Sequence, residues 1–407
     1  MNRAIPLLLA VLLGFSLLVS PIVAAPGNDL SGPSDSSLQQ VSTTDRSDSN
    51  LRELENTTNR LSLENAARSE YAEPGMNIGT MFASTDDRLR TDHIQYAIVD
   101  RQFEDATEAE RRELLWEAYA RIGERSDSLE SREQQAVRAH AAGRISSSQL
   151  LQTLHRNHKE AAALSRTLAD LRDRASRTSE IAQSMKDEQG KLEMHQTELR
   201  SQLAAAGGTG NSDTVFTVKT SENGYVISMI DENYVREAVR FDNRNASKQT
   251  QFDGISDAYP YTLDMYPWAN ETRSSPSFNM HTTVQLSMLD ISHDHGHLEA
   301  YLDGGTGNIH REVQVLNQDS LPTESQQTVK KEGLDLTINK TVSDGPSELT
   351  VSDLKSGELL SATVTINGTE VGETYADGRL WFVSPEDGYE LVVETTSGKR
   401  INTTISG

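Results

Sequence analysis

The 407-residue chain reads as a multidomain protein with an N-terminal all-α part (a helical bundle or coiled coil), a central α+β domain and a C-terminal β-sandwich. Three observations predict this. No proline occurs between Pro74 and Pro260, which permits long helices. The string Ala204-Ala205-Ala206-Gly207-Gly208-Thr209-Gly210-Asn211-Ser212 is the clearest linker, and the patterning changes from helical to alternating across it. Beyond residue 333, short alternating runs recur between Asn-Gly, Asp-Gly and Ser-Gly turns.

The chain opens with Arg3 and the apolar run AIPLLLAVLLGFSLLVSPIVAA, followed by the small residues Val23-Ala24-Ala25. These are the parts of a secretory signal, so residues 1–24 are expected to be removed and the protein to be secreted or held at the cell surface. The alternative is a membrane anchor, because the run has about the 20 residues a bilayer requires; Gly14, Ser16, Ser20 and Pro21 weaken that reading. Residues 25–75 are expected to form a flexible stalk, since 26–50 hold almost no large apolar side chain to offset ordering entropy.

Residues 76–206 are expected to be helical. Ser84-Thr85-Asp86-Asp87 offers N-cap chemistry for a first helix, and Thr107 with Glu110 is a capping box for a second, expected to end at Gly123. A third is expected over about 127–142, ending at Gly143. Within 147–206 heptad positions recur, most of them apolar: Leu150, Asn157, Leu164, Leu171, Thr178, Met185, Leu192, Leu199 and Ala206 on one seam, and Leu154, Ala161, Leu168, Ala175, Ala182, Gln189, Gln196 and Leu203 on the other. The segment is either a coiled coil, with Asn157 fixing register, or a helical hairpin doubling back near Gly190. The many alanines favour the hairpin or bundle, since they pack helices closely.

Residues 207–212 then form the expected linker, and 213–330 the small α+β domain. Its strands are expected at 214–219, 224–230, 281–291 and 297–303, and its short helices at 232–240 and 309–316. The segment 333–407 is expected to be the sandwich, with alternating runs such as Ala362-Thr363-Val364-Thr365-Ile366 and Tyr389-Glu390-Leu391-Val392-Val393. Its string SATVTINGTEVGETYADGRLWFVSPEDGYELVVETTSGKRINTTI resembles carboxypeptidase-regulatory-like or collagen-binding B-repeat-like modules. That resemblance implies a stalk or appendage without catalysis.

Asp and Glu number 61 against 38 Lys and Arg, a formal net charge of −23. Such a surface repels nucleic acid and anionic lipid. A dense carboxylate surface also suits strong salt, where a Debye length of about 3 Å at 1 M removes self-repulsion. The layout and composition resemble haloarchaeal secreted proteins of unknown function. With no cysteine, the chain has no disulfide framework and no thiol nucleophile.

The strongest candidate for chemistry is Asp290-Ile291-Ser292-His293-Asp294-His295-Gly296-His297-Leu298-Glu299. His293, His295 and His297, with Asp290, Asp294 and Glu299 nearby, are the nitrogen and oxygen donors that zinc or a similar ion takes. A hairpin turn at Gly296 accounts for the same residues without a metal. His155 and His158 stand three apart on a helix and lack an assignable third ligand. The loop Gly304-Gly305-Thr306-Gly307-Asn308 has no phosphate-loop ending. Tyr259, Tyr261, Tyr266 and Trp268 would either line a groove or be pinned to the core. Glycosylation sequons stand at Asn56, Asn245, Asn270, Asn339, Asn367 and Asn402.

Nucleophile-elbow and zinc-protease motifs are missing from the sequence, and no cofactor is expected. The expectation is an exported, non-catalytic cell-surface or extracellular interaction protein of a halophilic archaeon. Its partner would be a protein or an envelope glycan, with homo-oligomers through the helical region and membrane contact only through an uncleaved N-terminal segment. The alternative is an extracytoplasmic small-ligand or metal-binding sensory domain centred on 259–303.

Overall fold

The computed structural model describes residues 51–75, 78–175, 179–209, 214–342, 345–385 and 388–406. The expected signal at 1–24 and residues 25–50 of the expected stalk lie outside the described residues. Leu51–Arg52 (β1) and Arg60–Leu61 (β2) pair antiparallel, and Arg68–Ala72 (β3) is the first strand of an eight-stranded sheet. The stalk expectation is therefore corrected from residue 51 onward. Unlike 26–50, this segment carries Leu51, Leu61, Leu63 and Tyr71, which pack on the cores, and its backbone pairs from Arg68↔Thr220 to Ala72↔Phe216.

Five helices follow: Ile78–Ile94 (α1), prolonged by a π-helical stretch Gln95–Asp100, then Glu108–Ala141 (α2), Ser147–Arg174 (α3), Glu180–Glu193 (α4) and Glu198–Thr209 (α5). α1 begins before Ser84. The Ser84 and Thr85 hydroxyls donate back to the Thr80 and Met81 carbonyls inside the helix instead of capping it. The Thr107–Glu110 capping box forms as expected, and Ser146 caps α3 with Gln149. Gly123 does not end a helix. α2 runs through it for 34 residues, long enough to absorb the roughly 1 kcal/mol that glycine costs.

α4 and α5 pack back along α3. The reversal expected at Gly190 is corrected: Gly190 lies inside α4, where a Cβ would stand 2.2 Å from the His281 ring. The projecting coiled coil is corrected too. Leu150, Leu154, Leu199 and Leu203 bury against Phe216, Val218 and Ile227 of a sheet, while Leu164, Leu168, Leu171 and Leu192 join Leu115, Ile122 and Leu129 of α2. Both heptad seams are consumed inside the chain. Asn157 sets the α2–α3 register, donating to the Leu129 carbonyl at 2.9 Å and accepting from Arg132 at 3.0 Å.

The sheet adds Phe216–Ser221 (β4), Gly224–Ile230 (β5) and Tyr234–Arg240 (β6). After two short helices, Ile255–Asp264 (α6) and Pro267–Thr272 (α7), come Ser274–His281 (β7), Leu286–His293 (β8), Gly296–Asp303 (β9) and Ile309–Leu316 (β10). The strand order is β3-β4-β5-β6-β10-β9-β8-β7, antiparallel throughout. One face packs on α2, α3 and α5. The other packs on α6 and α7 around Phe252, Leu263 and Tyr266, with Leu61 of β2 alongside.

Residues 232–240 and 309–316, expected to be helical, are the central strands β6 and β10. The sequences YVREAVR and IHREVQVL hide their strand character, because each carries an Arg-Glu pair at its middle. Every residue of β6 is buried, so the alternation of apolar and polar that marks a half-exposed strand does not arise. The linker at 207–212 is likewise no boundary in packing. α5 continues to Thr209, and the sheet takes its first strand from residues 68–72, so the helices and the sheet form one layered body rather than an α domain and a separate α+β domain at 213–330.

The C-terminal sandwich starts at Thr323, inside the segment given to the α+β domain. Thr323–Lys331 (β11), Leu334–Thr341 (β12), Pro346–Asp353 (β13) and Arg379–Val383 (β16) form one sheet; Ala362–Ile366 (β14), Thr369–Thr374 (β15), Tyr389–Thr395 (β17) and Arg400–Ile405 (β18) form the other. Leu336, Ile338, Leu349, Val364, Leu391 and Ile401 fill the space between them. The Asn367-Gly368 hairpin has the positive φ angles, 49° and 83°, that its residues predict.

Candidate functional site

β8 and β9 are joined by the two-residue turn Asp294-His295, and that turn decides which of the histidine-rich residues meet. Along one continuous strand His293, His295 and His297 would share a face. The reversal changes the phase, so the expected three-histidine set is corrected: His297 pairs across from Ser292, and His293 from Gly296. His293 and His295 pack on Trp268 of α7, with ring centroids 5.5 and 4.4 Å away. Burial holds His293 down to about 4, and His295 is lowered for the same reason.

His297 instead joins the two carboxylates named beside it in the sequence. Asp290 and Glu299 are directly opposite each other across β8 and β9. The His297 Nε2 lies 3.7 Å from the Asp290 Oδ2 and 3.9 Å from the Glu299 Oε1, and one ligand atom of each residue fits within 4.8 Å of the other two. Tetrahedral zinc ligands about 2.0–2.2 Å from the ion stand about 3.3–3.5 Å from one another. A small inward movement of three side chains reaches that spacing. Each is about one-fifth to one-third exposed, which leaves an approach from solvent.

The surroundings suit such an ion. The Ser292 hydroxyl lies 3.4 Å from the His297 Nδ1; as acceptor from that nitrogen it leaves Nε2 unprotonated toward the carboxylates. The Tyr301 hydroxyl donates to the Glu299 Oε2 at 3.4 Å. Like charges directly opposite on paired strands repel. Burial, then Asp290, pushes Glu299 up to about 7, with smaller contributions from the carboxylates of Glu237 and Glu193. A divalent cation would relieve this repulsion.

The remaining expected site residues serve other ends. Tyr266 is buried and donates to Glu312 at 2.8 Å; Tyr261 packs on Phe252 and donates to the Gly307 carbonyl; Tyr259 packs on Phe278. The aromatic group is thus pinned to the core. The loop 304–308 is closed by Asn245 and Lys248 carbonyls where Gly305 passes, leaving no room for a Cβ. His155 and His158 lie in a groove between α1, α3 and α5. Of the sequon asparagines, Asn56, Asn245, Asn367 and Asn402 are exposed, and Asn270 and Asn339 are half-buried.

Sequence reasoning missed two buried ionic clusters, one on each face of the β6–β10 pair. Toward the helices, Arg200 of α5 and Arg311 of β10 lie between Glu133 of α2 and Glu237 of β6. Arg311 reaches Glu237 at 2.6 Å and Glu133 at 2.8 Å, and Arg200 reaches them at 3.1 and 2.8 Å. The Tyr225 hydroxyl lies 2.6 Å from Glu237, and Thr197 donates to the same carboxylate. Burial alone would raise both carboxyls; the two guanidinium groups reverse it and hold both below the usual range. On the opposite face Arg236 donates to Glu312 at 3.0 Å, and the Leu61 main chain and Tyr266 complete the cluster. The repeated Arg-Glu dipeptide at 236–237 and 311–312 was the one signal available in the sequence.

Comparison with known proteins finds three family models. A domain of unknown function (DUF7096) matches residues 1–213, a family of unknown function (DUF7094) matches 216–322, and an archaeal fibronectin-III type-like domain matches 325–403. No curated protein and no solved structure matches the chain. The third match agrees with the β-sandwich and its start near Thr323.

Proposed function

Starting from a chain that belongs to the DUF7096 family, whose model covers more than half of it, we propose an exported, non-catalytic binding protein that takes up a divalent transition metal of the zinc class. Asp290, His297 and Glu299 are the ligands. The observation that carries this reading is the convergence of one imidazole and two carboxylates on adjacent paired strands, with an orienting hydroxyl behind the imidazole. The neighbouring Ser292 and Tyr301 hold ligands rather than forming a nucleophile–base pair, which supports binding over catalysis. Export rests on Arg3 and the apolar run to Ala25, and a halophilic archaeal source on the acidic surface and the archaeal C-terminal match.

Calorimetric titration of the full chain with zinc in molar potassium chloride tests this. One saturable site is expected, weakened at least tenfold in His297→Ala and Asp290→Asn and unchanged in His293→Ala and His295→Ala. No saturable heat, or equal losses in all four variants, refutes it.

The fibronectin-III type-like domain favours a second reading, a structural or interaction role at the cell envelope with a protein or glycan partner. Self-association through 147–206 has little support within that reading, because the heptad seams are buried inside the chain. Light scattering in molar salt tests the self-association part of that reading: a concentration-dependent oligomer supports it, and a monomer at all concentrations removes it.

A further inference from the structure

The groove between α1, α3 and α5 has a composition at odds with the rest of the molecule. In a chain of net charge −23, its volume of about 600 Å³ is lined by Arg88, His155, His158, Lys159 and Arg166 and by no carboxylate among the described residues. Helical spacing brings these together. Gln152, Lys159 and Arg166 stand seven apart on α3, and Thr80, Ser84 and Arg88 stand four apart on the facing side of α1. Ala162, Ala163, Ala204 and Gly207 keep the floor open; a Cβ on Gly207 would come within 3.2 Å of the His155 ring.

The cations here are not spent on ion pairs as they are elsewhere on α3. Arg156, one residue from the groove lining, is held by Asp87 at 2.6 Å. Arg88 has only a long exposed contact with Asp92 at 3.8 Å, and no ion pair forms to Lys159 or Arg166 among the described residues. The positive field is felt by the imidazoles: after burial, Lys159 is the next cause that lowers His155, and Arg200 and Lys159 act likewise on His158. Met81 and the alanines give the same groove an apolar wall.

We infer that this groove binds a small organic dianion, its oxygens at Arg88, Lys159 and Arg166 and its apolar part against Met81 and the alanine floor. A phosphate monoester and a dicarboxylate share that chemistry. The site stands on elements other than β8 and β9, so it does not depend on the metal reading.

The test is calorimetry on the full chain with phenyl phosphate and, separately, phthalate, which keep the apolar ring and exchange the oxyanion. Saturable binding of at least one probe is expected, about tenfold weaker in Lys159→Ala and Arg166→Ala and unchanged in Arg112→Ala, an exposed charge on α2 outside the groove. The tighter probe identifies the source of the anion. All three substitutions are at exposed positions, so loss of folding does not confuse the result. No saturable binding of either probe, affinity indifferent to Lys159 and Arg166, or an equal loss in Arg112→Ala overturns the inference.

Discussion

Replacing Glu237 by Gln removes one of the two carboxylates that balance Arg200 and Arg311 while keeping nearly the same shape. Each of the four ionic side chains is at most 2 % exposed, so water cannot take over the missing charge. Two guanidinium groups would then face Glu133 alone, and the hydrogen bonds from Arg200, Arg311, Tyr225 and Thr197 to Glu237 would lose their charged acceptor. Breaking a buried pair by removing one partner costs about 3–5 kcal/mol. Urea unfolding of the variant in molar potassium chloride should show a loss of that size. Salt of this strength screens surface pairs and leaves the buried cluster intact. Because the cluster joins α2 and α5 to β5, β6 and β10, far-ultraviolet circular dichroism and intrinsic fluorescence should report the same destabilisation together. In the double variant Glu237→Gln/Arg311→Met, removal of the surplus cation should recover about 2 kcal/mol. A loss under about 1 kcal/mol, a typical surface effect, or a helical transition separated from that of the sheet, refutes the idea that the cluster binds the layers into one cooperative body.

Two further predictions concern packing and protonation. Gly190→Ala places a methyl group 2.2 Å from the His281 ring, in the close approach of α4 to β7; thermal unfolding should show a loss of about 1–3 kcal/mol, and an unchanged midpoint would mean that the ring yields freely. His310 is buried, donates from Nδ1 to the Arg240 carbonyl at 2.8 Å, and is lowered to about 4 by burial. Below an unfolded value near 6.5 the unfolded chain binds a proton that the folded one refuses. Stability should therefore fall from about pH 6.5 to about pH 4 by up to about 3 kcal/mol for this residue. His310→Asn, which keeps a donor and cannot charge, should flatten that part of the stability–pH curve; an identical slope in both proteins refutes the assignment.

How much of this was legible depends on the residue. The Thr107–Glu110 capping box and the Asn367-Gly368 hairpin are local signals with local causes, and both form as read. The helical segment was legible as helix, but its oligomerisation was not, because a heptad seam looks the same whether it meets a second chain or the protein's own sheet. β6 and β10 escaped detection because strands covered on both faces lose their alternation, and the arginines and glutamates at their centres are paired only by residues distant in sequence. The boundary at 207–212 lies beside the one between the family models and is not one in packing. The two models meet at residues 213 and 216, yet β3 from the first supplies an edge strand to the sheet of the second. At the candidate site, Asp290, His297 and Glu299 were all within the segment singled out. The hairpin turn near Gly296 was read as well; what the sequence could not fix was its two-residue length, which sends His293 and His295 to the opposite face.

X-ray absorption fine structure of the zinc-loaded full chain tests the central claim most directly. The account predicts a first shell of nitrogen and oxygen only, at about 2.0–2.2 Å, with outer-shell scattering from a single imidazole, that of His297, which disappears in His297→Ala. A shell containing two or three imidazoles, or one indistinguishable from hydrated zinc, would contradict it.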